Sequence, residues 1–66
     1  MSDRFTFEFS PDTTEQLKEI HKHKKPFMIE DCQNLCEQIG VRARVFKNGD
    51  YFGHIFEDGS FSKKEK

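Results

Sequence analysis

Cys32 and Cys36 stand four positions apart, and His21 and His23 stand two apart. Two thiols one helical turn apart can face one zinc ion, and two imidazoles would complete a four-ligand set. The stripe that carries the cysteines argues otherwise. Ile29, Cys32, Leu35, Cys36 and Ile39 recur at three and four positions, the pattern of one buried helix face. Free cysteine in such a stripe behaves as a small hydrophobe. A disulfide across one helical turn fails the required Cβ approach. His21 and His23 lie in the run His-Lys-His-Lys-Lys, where alternate helix positions diverge. With Lys22, Lys24 and Lys25 they read as a solvated basic helix end, a secondary patch for a phosphate or an acidic partner.

No other constellation carries chemistry. A Cys–His nucleophile using His54 would need an orienting group and an oxyanion site, and neither is marked. Asp50, Glu57 and Asp58 are turn residues without calcium-loop spacing. There is no glycine-rich phosphate loop. The expectation is a non-enzyme with no metal and no cofactor.

The elements that position these residues belong to a chain of 66 residues, the size of one small domain. Apolar residues make up 33% and charged residues 35%, but eight of the apolar ones are phenylalanine, too aromatic for a disordered chain. The formal net charge of −1 excludes an overall basic nucleic-acid binder and a strongly acidic mimic. No apolar run approaches the ~20 residues that span a bilayer, and no secretory h-region is present. Cytoplasmic residence with reduced thiols is the resulting expectation.

Phe5, Phe7 and Phe9 alternate with polar residues and predict a strand over 4–9. Asp12, with Glu15 as its capping-box partner, starts a helix from Thr13 to Lys24 that Pro26 ends. A second helix spans Ile29 to Ile39 and closes at Gly40. Residues 41–46 and 51–56 alternate around Asn48-Gly49, the pair that forms a type I′ hairpin turn. Asp58-Gly59 offers a second turn, which folds Phe61 back as a short edge strand. The predicted fold class is a small α+β domain over 1–61, β-α-α-β-β, with two helices on one face of an antiparallel sheet. Residues 62–66 read as a frayed tail. The predicted core is Phe5, Phe7, Phe9, Leu17, Ile20, Ile29, Cys32, Leu35, Cys36, Ile39, Val41, Val45, Phe52 and Phe56.

A two-residue turn sets Lys47 against Asp50, Phe46 against Tyr51 and Val45 against Phe52. An unbroken ladder then puts Val41, Ala43, Val45, Phe52, His54 and Phe56 on the core face. Arg42, Arg44, Phe46, Tyr51, Gly53 and Ile55 take the other. Arginine and aromatic side chains dominate binding hot spots. Arg42, Arg44, Phe46, Lys47, Tyr51 and Ile55 are therefore the candidate partner-binding surface, against the plainer reading of cross-strand packing that stabilises the hairpin. The expected function is a protein–protein interaction module, whether inhibitor, adaptor or modulator. Size and composition alone associate such chains with phages and mobile elements. A homodimer through the sheet face or an edge strand is a variant of this reading. The alternative is a nucleic-acid-binding regulator, winged-helix-like or using the sheet face. Against the winged helix, the second helix carries Glu30, Asp31 and Glu37 and no Lys or Arg.

Overall fold

Alternating phenylalanines make the first strand, β1 (Phe5–Ser10), and the described residues of the computed structural model, 3–64, continue from it. Two helices follow, α1 (Thr14–Lys22) and α2 (Ile29–Ile39), then β2 (Arg42–Lys47), β3 (Asp50–Ile55) and β4 (Phe61–Lys63). The strands form one antiparallel sheet in the order β1-β2-β3-β4. The fold is α+β, as the sequence predicts, with a short fourth strand completing the sheet.

The cap of α1 lies one residue later than Asp12. Thr13 Oγ1 accepts from the Gln16 N–H at 3.1 Å, and Gln16 Oε1 accepts from the Thr13 N–H at 3.2 Å. The box is thus Thr13 with Gln16, and the same amide oxygen also takes the Asp12 N–H at 2.7 Å. Gln16 Nε2 then donates to the Gly40 carbonyl at 2.8 Å, tying the start of α1 to the end of α2. The helix closes at Lys22, two residues short of the predicted Lys24, with His23 as its extended cap. α2 has its predicted bounds. Gly40 adopts φ +81°, and its N–H returns to the Cys36 carbonyl at 2.7 Å.

The hairpin turn is the predicted one: Asn48 has φ +52° and Gly49 φ +90°. Lys47 pairs with Asp50 and Phe46 with Tyr51. The ladder then slips by one. Val45 pairs with Gly53, Arg44 with His54 and Ala43 with Ile55, so Phe52 is the extra residue of a β-bulge. From there on β3 presents the opposite set of side chains from an unbroken ladder. Gly53 and Ile55 are buried, correcting their assignment to the outer face. His54 and Phe56 leave the core face. Phe52 stays on the helix side, 5.8 Å from the Phe5 ring and 5.9 Å from Phe61 between ring centroids.

Cys32, Leu35, Cys36, Val41, Ala43, Val45 and Ile55 form the buried centre. Half-buried Phe5, Phe7, Phe9, Ile20, Ile29, Ile39, Phe52 and Phe61 pack around it. Two expected core residues are outside it: Leu17 is 43% exposed and Phe56 39%. Leu17 sits on a helix that buries no residue fully and whose main neighbour is α2.

β4 runs past Phe61 through Lys63, and the Lys64 N–H donates to the Phe52 carbonyl at 2.8 Å. The expected frayed tail therefore starts in strand, and residues 65–66 of it lie outside the described residues. The turn before β4 explains the extension. Gly59 takes φ +91°, its N–H bonds to the Phe56 carbonyl at 2.9 Å, and Gln33 Nε2 holds its carbonyl at 3.0 Å. Among the described residues no helix is long and apolar enough to cross a membrane.

Gly53 has a steric reason to lack a side chain. A Cβ there would stand 2.5 Å from the Ser62 carbonyl oxygen and 3.1 Å from Lys63 Cα, both backbone atoms of β4. Gly53→Ala is expected to lower stability by about 1–3 kcal/mol, the range for overpacking a tight site. Urea unfolding measures that loss. Hydrogen exchange should find the Lys64 amide deprotected ahead of the β1–β2 ladder.

Candidate functional site

With both helices on one side, the other side of the sheet is open. The β-bulge decides which side chains reach it. Thr6 and Glu8 of β1, Arg42, Arg44 and Phe46 of β2, and Tyr51, His54 and Phe56 at and beyond β3 share this face. Four rings form a continuous row along it. Phe46 meets Tyr51 edge-on at 6.0 Å between centroids, and the Tyr51 hydroxyl lies 3.0 Å from His54 Nδ1. His54 meets Phe56 edge-on at 4.7 Å. These are the offset and edge geometries that aromatic quadrupoles favour.

The two arginines flank this row and are already matched. Arg44 reaches Glu8 Oε1 at 3.5 Å and Arg42 reaches Glu57 Oε2 at 3.2 Å. All four partners are exposed, so each pair contributes at most about 1 kcal/mol to stability. Their effect is on surface character: each guanidinium has a carboxylate beside it that offsets its charge. A hollow of about 450 Å³ lies among Ser10, Asp12, Arg42, Arg44, His54 and Phe56.

Four of the six candidate surface residues, Arg42, Arg44, Phe46 and Tyr51, are brought together here. Two are not. Ile55 is fully buried. Lys47 lies on the helix side of the hairpin, with Nζ 3.3 Å from Asp3 Oδ2 and 5.5 Å from the Phe52 ring centroid. His54 and Phe56 take their places. The signal for the exchange was Gly53, since a glycine inside a strand pattern marks a bulge or a close backbone approach.

The basic helix end is elsewhere. Lys22 pairs with Glu19 at 3.2 Å. Lys24 and Lys25 lie beyond α1 and line a separate groove, with His21 and His23, against β1. The cysteines are in the core, with no exposed surface on either. The hydrogen bond between the two thiols, together with burial, pushes the Cys32 thiol far above the ordinary range. The same bond draws the Cys36 thiol down while burial opposes it. The described residues contain no cluster of three or more His, Cys, Asp or Glu able to hold a metal ion.

Set against models of protein families, curated proteins and solved structures, the chain shows no significant match to any. The reading of this surface therefore rests on its own geometry.

Burial of the thiols has a direct chemical consequence. Cys32 and Cys36 should react with an aromatic disulfide reagent only as fast as the fold opens, and both should titrate promptly in denaturant. Rapid modification of either thiol in the native protein would contradict their place in the core.

Proposed function

We propose that the chain is a non-enzymatic protein–protein interaction module that docks a partner on its open sheet face. The observation that carries this reading is the ring row Phe46–Tyr51–His54–Phe56 on the uncovered side of the sheet. Rigid aromatic side chains provide large contact area at little entropic cost, and they anchor interface centres. An inhibitor, adaptor or modulator needs only such a patch. The reduced, buried thiols fit a cytoplasmic setting.

A protein partner is favoured over a nucleic acid by the state of the arginines. A phosphate-binding surface keeps its cations available for counterion exchange. Arg42 and Arg44 are instead paired with Glu57 and Glu8. The ring row also supports a second reading, stacking of unpaired nucleobases on the sheet. Salt separates the two, because binding through phosphates weakens steeply as ionic strength rises. A labelled single-stranded oligonucleotide, titrated at low and high salt, should show no saturable binding under the favoured reading.

Tyr51→Ala and Arg44→Ala test the surface itself. Arg44→Ala removes one exposed ion pair, and Tyr51→Ala removes a ring edge contact and the hydroxyl contact with His54, so each should lower stability by only about 1 kcal/mol. A truncated central anchor costs about 2 kcal/mol or more in binding. Affinity capture with the native chain and both variants as parallel baits should yield a partner that both variants lose, while both variants stay folded and melt only a few degrees lower. A melt that falls in step with binding would assign these side chains to hairpin stability instead.

A further inference from the structure

β1 is an edge strand, and its two sides are built differently. The Asn48 N–H donates to the Arg4 carbonyl at 2.7 Å and sets the phase of the ladder. Thr6, Glu8 and Ser10 then turn their backbone groups toward β2. The N–H and C=O groups of Phe5, Phe7 and Phe9 turn to the free edge. The opposite edge, β4, is three residues long and ends on Lys63, a short charged edge that discourages pairing. β1 is twice that length and carries neither lysine nor proline.

On the helix side, this edge borders a groove of about 450 Å³ between β1 and the end of α1. Its floor is Phe5, Phe7 and Phe9, all half-buried, and Ile20 closes the inner wall. Its rim is His21, His23, Lys24 and Lys25, and no carboxylate lines it. Neither Lys24 nor Lys25 forms an ion pair among the described residues. Asp31 lies on the far side of the link between the helices, in a neighbouring hollow that Lys24 and Lys25 also line. Beyond Phe5 lies a second hollow, where Phe27, 85% exposed, stands with Arg4, Lys25 and Asp3, whose carboxylate is paired with Lys47.

We propose that this edge and groove take an extended acidic segment of a partner protein as an added strand. The free backbone groups of Phe5, Phe7 and Phe9 supply the ladder, and alternate side chains of the segment enter the groove. Its carboxylates meet Lys24 and Lys25. A second copy of this chain fits poorly. Two β1 edges paired antiparallel keep both helix layers on one side of the joint sheet and set two basic rims side by side. This surface is separate from the ring row on the opposite face, and the proposal does not depend on that row.

Fluorescence anisotropy with a labelled, acetylated peptide, Glu-Glu-Val-Thr-Val-Thr-Val-Thr, tests it. Binding should be saturable. It should weaken at least about tenfold for the analogue beginning Lys-Lys, and as much for the chain carrying both Lys24→Glu and Lys25→Glu. Those two positions are exposed and outside any helix, so the melt should not move. Methylation of alternate peptide nitrogens should abolish binding, because a strand lacking its N–H groups cannot complete the ladder. Equal binding of the acidic and basic peptides, indifference to methylation, or no saturable binding would overturn the proposal. A concentration-dependent dimer that the acidic peptide does not dissociate would overturn it as well.

Discussion

One extra residue in β3 sets the arrangement of this domain. Phe52 has no counterpart on β2, and the ladder resumes one step out of phase beyond it. Side chains alternate strictly along a strand, so a one-residue slip exchanges the two faces. Ile55 thereby reaches the core, where it has no exposed surface, and His54 and Phe56 reach the open side. Burying a side chain such as Ile55 contributes roughly 1.5–3 kcal/mol. An unbroken ladder would forgo that and place an imidazole against the buried cluster. The bulge also lets β4 approach, because the residue that follows Phe52 is glycine and its missing Cβ leaves room for the Ser62 carbonyl.

The rest of the domain compensates for small size with a few well-placed polar contacts. α1 buries no residue fully, so packing alone holds it weakly. Gln16 caps its first turn and binds the Gly40 carbonyl, at the end of α2, with the same side chain. Gln33 does similar work at the other side of α2, fixing the carbonyl of Gly59 in the turn before β4. A side-chain hydrogen bond contributes about 0.5–1.5 kcal/mol net. In a domain whose stability is expected to be marginal for its size, two such ties weigh heavily. Phe5, Phe7 and Phe9 beside the small buried centre stay half-buried, which leaves a surface on the helix side of β1 for other molecules.

The element order, the bounds of α2, the Asn48-Gly49 turn and the burial of both cysteines were legible because each depends on local periodicity or on residues that tolerate positive φ. The faces of β3 were not, because alternation carries no phase mark once a bulge intervenes. Gly53 was the visible trace, since a glycine inside a strand pattern marks a bulge or a close backbone approach. The cap of α1 moved from Asp12 to Thr13 because a side chain at Gln16 could serve two backbone donors at once, a choice made by three-dimensional fit. Of the candidate surface, Arg42, Arg44, Phe46 and Tyr51 precede the slip or lie on β2 and kept their face. Ile55 follows the slip and did not. Lys47 was placed by its position at the hairpin end, and its side chain turns back toward Phe52 and Asp3.

The pairing of β2 with β3 can be observed directly in solution. In a nuclear Overhauser spectrum of the isotopically labelled chain, cross-strand contacts between α protons report which residues stand opposite one another. The bulged register predicts a contact from Arg44 to His54, together with one from Phe46 to Tyr51. A contact from Arg44 to a Gly53 α proton in place of His54 would mean an unbroken ladder. Ile55 would then return to the surface, and the ring row would lose His54 and Phe56.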